Sequence, residues 1–174
     1  MIRKIVSGGQ TGVDRAALDA AMEHGIAIGG WCPRGRRALD GPIPAHYPLT
    51  ETRGHGYQTR TRWNVRDSDA TLIICAGEPT GGTALTIRYC QLLNKPFFVT
   101  SLQEGHTPLD PDLLHWYHRE KIHVLNIAGP RERKACPVYR QAHKLLDELF
   151  RQLAHNRGAT ERPDIISGSP LHDQ

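Results

Sequence analysis

The sequence predicts one α/β domain: a Rossmann-like, doubly wound and mainly parallel sheet of about five or more strands, with helices on both faces. Three observations predict it. Short apolar segments alternate with segments of helical period, several strand ends coincide with glycine turns, and the length of 174 residues is that of a single domain. Because helices separate the strands, the connections should be right-handed crossovers.

The elements follow in order along the chain. The predicted strands are the apolar segments 2–6, 26–28, 70–76, 96–100 and 122–127. The third of these is apolar throughout, as expected for a strand that is covered on both faces. The predicted helices are 13–24, closed by Gly25; a second with Leu85, Tyr89, Leu92 and Leu93 on one face; and a last one that starts at Pro137, carries an apolar stripe from Val138 to Leu153 and ends before Gly158.

Two segments interrupt this alternation, 31–51 and 101–112. A long loop in a compact domain is usually functional. The longer segment carries the apolar residues Trp31, Ile43, Tyr47 and Leu49, which we expect to pack near the subunit interface of a symmetric homo-oligomer. Residues 1–158 should form the domain, and 159–174 a mobile or packed tail.

Composition excludes several classes of protein. No apolar run approaches the ~18 residues of a spanning helix, and the N-terminal apolar stretch is too short for a signal peptide, so we expect a soluble, cytoplasmic protein without a membrane partner. The four cysteines, at 32, 75, 90 and 136, form no C-x-x-C pair. A disulfide framework or a zinc site is therefore not predicted.

Positive charge is concentrated in one part of the chain. The formal net charge is +4, and the segment from residue 33 to residue 66 contains seven arginines but only two acidic residues, Asp40 and Glu51. A concentrated positive field attracts an anionic partner. Because aromatic residues are few and no nucleic-acid module is present, a small phosphorylated ligand fits better than nucleic acid.

Glycine turns at three strand ends are candidate anion sites. They are 7–14 (SGGQTGVD), 77–83 (GEPTGGT) and 128–132 (AGPRE). Neither of the first two is a Walker A motif or a G-x-G-x-x-G motif. Ligands bind beyond the carboxyl ends of strands in such sheets, and helix N-termini attract anions. Two turns meeting at one crevice beside the arginines therefore predict a phosphate site.

Acidic residues near these turns admit two interpretations. Asp14 lies in the first turn of a predicted helix, where it would either complement the helix dipole or hydrogen-bond ligand hydroxyls or ring nitrogens. Asp69 precedes a strand and would either form a turn or recognise the ligand. The histidines show no metal-binding pattern, since no carboxylate completes a site around His115 and His118.

At this point the chain resembles the "putative molybdenum carrier" family, the circularly permuted YpsA-like branch of the SLOG superfamily. The matching segments are 7–19 (SGGQTGVDRAALD), 30–36 (GWCPRGR), 40–44 (DGPIP), 47–49 (YPL), 60–61 (RT), 64–65 (NV), 68–73 (SDATLI), 81–83 (GGT) and 128–132 (AGPRE). One departure is Leu39, where the family pattern has a glutamate. The resemblance spans roughly residues 1–155.

The resemblance implies a homo-oligomer, a dimer or tetramer, that binds the molybdenum cofactor, a pterin with a terminal phosphate. Other SLOG relatives bind nucleotides, and the Lonely Guy branch hydrolyses nucleoside monophosphates. That branch has a glutamate three residues after the threonine of its glycine loop, and here the position holds Thr86. A glycosidase needs such a carboxylate. We therefore expect no catalytic residues unless Asp14, Asp40 or Asp69 substitutes.

The expected function is binding of a phosphorylated heterocycle, with the molybdenum cofactor as ligand and a molybdoenzyme as acceptor. A nucleotide sensor and a nucleotide N-glycosidase are the alternatives. The candidate residues for binding phosphate or molybdate oxygens are Gly8, Gly9, Gln10, Thr11, Gly12, Gly81, Gly82 and Thr83. Arg34, Arg36 and Arg60 would supply positive charge to the site. Asp14, Asn64 and Asp69 would hydrogen-bond the polar edges of the ligand. No metal-ligating residue is predicted.

Overall fold

A five-stranded parallel sheet forms the centre of the computed structural model, which describes residues 1–103, 108–133 and 137–160, with side chains through 155 in the last helix. Its strands are β1 (Lys4–Val6), β2 (Ala27–Gly29), β7 (Ala70–Cys75), β8 (Phe97–Ser101) and β9 (Val124–Ala128). All pairs are parallel, in the order β2-β1-β9-β7-β8. The predicted fold class is confirmed.

Five helices accompany the sheet: α1 (Val13–Glu23), α2 (Tyr57–Arg66), α3 (Gly81–Leu92), α4 (Pro111–Arg119) and α5 (Tyr139–Thr160). Helix α1 packs against α5, and α2 packs against α3. Every residue of β7 is buried, as its sequence, apolar except for Thr71, predicts for a strand covered on both faces. In the described part of the chain, no helix combines the length and apolar character needed to cross a membrane.

The strand order determines where a ligand can bind. From β1 the chain moves outward to β2, from β7 it moves outward to β8 in the other direction, and β9 lies between β1 and β7. The order therefore reverses at the middle of the sheet. The three predicted glycine turns follow β1, β7 and β9, so they meet at the carboxyl ends of these central strands, where such folds bind ligands.

Four strands of two residues each organise the long insertion. Strands β3 (Trp31–Cys32) and β6 (Thr50–Glu51) pair in parallel, and β4 (Arg37–Ala38) and β5 (Gly41–Pro42) form an antiparallel hairpin. The insertion has its own core, made of Cys32, Ile43, Tyr47 and Leu49 around Leu18 of α1. The expectation that its apolar side chains pack against another subunit is thus wrong for Ile43, Tyr47 and Leu49, because they cover their own domain.

Two helices were not predicted. In α2 the buried residues are Thr61, Asn64 and Val65. The face that packs inward is mostly polar, so the sequence lacks the helical repeat of apolar residues that would have predicted this helix. Helix α4 begins in the segment 101–112 that we expected to be a loop. Its start does carry a signal, since the side chain of Asp110 accepts a hydrogen bond from the N–H of Asp112 and Pro111 occupies the first turn.

Helix α3 presents a different face from the one predicted. Its buried residues are Thr83, Thr86 and Cys90, whereas Leu92 is 64% exposed and Leu85 and Tyr89 are half-buried. The small side chains let the helix approach its neighbours closely, and the hydroxyl of Thr86 is satisfied by the carbonyl of Gly82 at 2.9 Å. The predicted leucine stripe is therefore not the buried face of the helix. Helix α5 also differs, because it continues past Gly158, and residues 161–174 of the predicted tail lie outside the described part.

Candidate functional site

A cavity of about 770 Å³ lies at the carboxyl ends of β7 and β9, within the usual size of small-molecule sites. Its wall combines the start of α2, the turn from β7 into α3, the turn after β9, and two residues of the first glycine turn. The lining residues are Gln10, Asp14, Gly56 to Thr61, Cys75, Ala76, Glu78 to Thr83, Leu85, Thr86, Ala128 to Arg131, and Arg133.

The start of α3 is the part of this wall best suited to an anion. The N-cap residue Thr80 makes no side-chain cap, and its carbonyl accepts from the N–H groups of Thr83 and Ala84. Within the described residues, the N–H groups of Gly81 and Gly82 have no protein partner. Gly81 has a φ of +52°, which favours glycine, and a Cβ at Gly82 would meet nothing within 4 Å. These unpaired donors and the positive end of the helix dipole favour a phosphate here.

The first glycine turn makes room for protein groups instead. A Cβ on Gly8 would collide with the guanidinium of Arg60, one on Gly9 with the side chain of Leu49, and one on Gly12 with the backbone of Glu132. Several of the turn's donors are also used: the N–H of Thr11 donates to Oε1 of Gln10 at 3.0 Å, and the N–H of Val13 donates to the carbonyl of Pro130. In this turn the glycines are needed for close packing rather than as an open anion cradle.

Asp14 and Arg60 form a buried ion pair beneath the cavity. Nη1 of Arg60 lies 3.0 Å from Oδ2 of Asp14, and the side chains are 14% and 4% exposed. Burial raises the pKa of Asp14 above its ordinary value, although the charge of Arg60 and the N–H of Gln10 act to lower it. The Nε of Arg60 is buried and has no hydrogen-bond partner in the described structure. A buried guanidinium donor without a partner is unfavourable, and an oxygen of an anionic ligand is a group that would satisfy it.

Three arginines from two parts of the chain bring positive charge to the cavity. Arg60 comes from α2, while Arg131 and Arg133 come from the turn after β9 and are both exposed. Glu78 is the acidic residue on the rim, in addition to the buried Asp14. Arg131 and Arg133 were missed as candidates, although Arg131 stands in a glycine turn at a strand end, the position that identified the other two turns.

The predicted residues thus fall into two groups. Those on the cavity wall are Gln10, Asp14, Arg60, Gly81, Gly82 and Thr83. Those off the wall are Gly8, Gly9, Thr11, Gly12, Arg34, Arg36, Asn64 and Asp69.

Structural contacts occupy the side chains of two of the second group, Arg36 and Asn64, and the backbone N–H of a third, Arg34. The guanidinium of Arg36 donates to the carbonyls of four insertion residues, Ile43, Pro44, Tyr47 and Leu49, at 2.9–3.2 Å. The amide of Asn64 exchanges two hydrogen bonds with the backbone of Trp31. Arg34 is exposed, and its N–H donates to the carbonyl of Gly54.

Asp69 lies at the amino end of β7, whereas the cavity is at the carboxyl end. Its Oδ2 accepts from the N–H groups of His123 and Val124 at 2.8 and 2.7 Å. Burial by itself would raise the pKa of Asp69, but these two backbone donors hold it below its ordinary value. The carboxylate joins the starts of β7 and β9.

Leu39 and Thr86 occupy positions where relatives of this chain were expected to carry glutamate. Leu39 sits at the tip of the β4–β5 hairpin and is 57% exposed, and its N–H donates to Oε1 of Gln10 at 2.8 Å. Thr86 lies on the cavity wall, but its hydroxyl donates into its own helix. Asp40, near the hairpin tip, pairs with Arg15. Within the described residues, no group of three or more His, Cys, Asp or Glu side chains is arranged to hold a metal ion.

Comparison with known proteins gives two matches. Residues 5–150 match the circularly permutated YpsA SLOG family. A crystal structure from Syntrophus aciditrophicus SB, titled "Putative molybdenum carrier protein", is 46% identical in sequence, with a TM-score of 0.79, over 86% of this chain and 94% of that chain. No curated protein matches the chain.

Proposed function

Since this chain belongs to the circularly permutated YpsA SLOG family, we propose that it binds a phosphorylated heterocycle, the molybdenum cofactor, and carries or stores it in the cytoplasm. The relative from Syntrophus aciditrophicus carries the name of a molybdenum carrier, which supports this choice among SLOG ligands. A nucleotide is the alternative occupant of the same cavity, in which case the protein is a sensor.

The observation that carries the proposal is the open start of α3. Gly81 and Gly82 present N–H groups that have no partner among the described residues to a cavity that Arg60 and Arg131 also line. A helix terminus alone contributes only about 0.3–2 kcal/mol, so the arginines are needed for useful affinity.

The residues present fit the anionic parts of the cofactor. Backbone N–H groups at Gly81 and Gly82 would hold the terminal phosphate, and Arg60 with its unpaired Nε would hold further oxygens. The metal is carried as part of the ligand. The protein's part is to bind the organic portion of the cofactor, shield the cofactor from water and release it to an acceptor molybdoenzyme.

The second candidate is an N-glycosidase, which Asp14 favours. Asp14 is a buried carboxylate on the cavity wall with a raised pKa, and such groups are common in active sites. Against this, its Oδ2 already accepts from Arg60 and from the N–H of Gln10. Thr86 supplies no carboxylate. We therefore favour binding over catalysis.

Incubation with adenosine and guanosine 5′-monophosphates separates these two functions. We expect each nucleotide to be recovered intact after long incubation, because a carrier releases its ligand unaltered. Chromatography of the supernatant measures free base against protein concentration. Release of many equivalents of base, lost in Asp14→Asn and retained in the matched surface control Asp40→Asn, would contradict the carrier proposal.

We also propose that the protein is a homo-oligomer, a dimer or tetramer, assembled through the outer face of α3. On this helix Leu92 is 64% exposed and Tyr89 is half-buried, and Arg88 is the helix's only charged residue. Val99, on the neighbouring edge strand β8, is 39% exposed. Exposed apolar side chains favour an interface, and we expect the contact at this helix face rather than at the apolar residues of the insertion.

A further inference from the structure

Tyr57 is the one aromatic residue among the described residues of the cavity wall. It occupies the first position of α2 and is 36% exposed. Within the described structure its hydroxyl makes no hydrogen bond, so no polar contact of the hydroxyl accounts for a tyrosine here. An exposed aromatic ring on the wall of a small-molecule cavity provides a flat apolar surface for a ligand.

Arg60 and its ionic partner hold the ring of Tyr57 in place. The guanidinium carbon of Arg60 lies 5.9 Å from the ring centroid, within cation–π range. Arg60 is in turn fixed by the buried carboxylate of Asp14 at 3.0 Å. The hydroxyl of Thr61 donates to the carbonyl of Tyr57 at 2.9 Å, which fixes the backbone of this helical turn. The ring therefore needs little ordering when a ligand arrives.

The cavity thus has two chemically different parts. The start of α3 offers unpaired N–H groups, and Arg131 adds positive charge, so this part suits an anion. Tyr57, on α2, offers an aromatic face and no charge of its own. A ligand with a phosphate at one end and a planar ring at the other matches both parts.

We propose that Tyr57 determines specificity by stacking on the planar ring of the ligand, so that the site selects phosphorylated purines or pterins over phosphorylated sugars. This inference rests on the proposed function, and adds to it which residue recognises the ring. Stacking tolerates different rings because every heterocycle of this kind has a π face.

Guanosine 5′-monophosphate and ribose 5-phosphate are the probes, because they differ by the base alone and guanine shares its 2-amino-4-oxopyrimidine ring with pterins. Calorimetry should show about 5- to 100-fold tighter binding of the nucleotide by the unmodified protein. Tyr57→Leu should reduce this preference to near one and leave ribose 5-phosphate binding unchanged. Tyr57→Phe should retain the preference, since the ring alone is needed.

The other outcomes separate this inference from the proposed function. If both probes bind equally well, or if Tyr57→Leu keeps the preference for the nucleotide, Tyr57 does not recognise the ring of the ligand. That result would leave the proposed phosphate site unaffected. If Tyr57→Leu weakens ribose 5-phosphate binding as much as nucleotide binding, the residue acts on the site as a whole, and the inference is wrong. If the unmodified protein binds neither probe, both the proposed phosphate site and this inference are contradicted.

Discussion

Gly82→Asp should abolish binding of phosphorylated ligands while the protein stays folded. Gly82 lies in the first turn of α3, and a Cβ there meets nothing within 4 Å. The added carboxylate would stand among the N–H groups that we assign to the phosphate. Two like charges about 4 Å apart repel by about 4 kcal/mol at an effective dielectric constant of ~20, which corresponds to a loss of nearly three orders of magnitude in affinity.

The fold should tolerate this change, because an acidic residue in the first turn complements the helix dipole. Calorimetry with guanosine 5′-monophosphate measures the affinity, and circular dichroism with thermal melting measures the fold. Gly82→Asn is the matched control, because it has the same size without the charge and should lose far less affinity. Unchanged binding by Gly82→Asp would remove the start of α3 from the site.

Arg60→Met should cause the largest loss of stability among the cavity residues. The substitution leaves Asp14, whose side chain is 4% exposed, without its ionic partner. Breaking a buried pair by removing one partner typically costs about 3–5 kcal/mol. The double variant Asp14→Asn/Arg60→Met should recover much of this loss because no charge is then left buried. Arg34→Met, which removes an exposed arginine, should change the free energy of unfolding little.

The stability loss in Arg60→Met should depend on pH. The folded-state pKa of Asp14 is already above its value of 3.8 in the unfolded chain, and removing Arg60 takes away contributions that lower it. Where a group binds its proton more tightly in the folded state, a fall in pH favours folding. The deficit relative to the unmodified protein should be greatest near neutral pH and shrink as the pH falls toward 4. Urea unfolding at several pH values measures it, and a deficit that grows on acidification would contradict the buried pair.

The elements that the sequence predicts well are those whose burial is apolar. Strand β7 is apolar at every position after Thr71, and its fully buried sequence indicates its central place. Helix α2 shows the opposite case: it buries Thr61, whose hydroxyl donates within its own helix, and Asn64, whose partner Trp31 lies 33 residues away in the chain. In α3, the leucines indicated one face, but close packing selected the small residues instead.

The candidate site shows the same limit. A glycine turn at a strand end indicates either an open cradle or close packing, and the sequence does not distinguish them. At Gly82 the space beside the backbone is open, whereas at Gly8 it is filled by Arg60, a residue 52 positions away in the chain. Arg36 and Asp69 have the residue types of ligand contacts but bind backbone groups. Only tertiary structure separates these uses.

Native mass spectrometry of protein purified from a host that makes the molybdenum cofactor tests the central claim most directly. It reports the ligand mass and the assembly in one spectrum. We predict an assembly of at least two 19.4 kDa chains, each with the added mass of a phosphorylated pterin carrying molybdenum, and loss of that mass in Gly82→Asp. A ligand-free chain in every charge state, or a bound mass that persists in Gly82→Asp, would contradict the proposed carrier site.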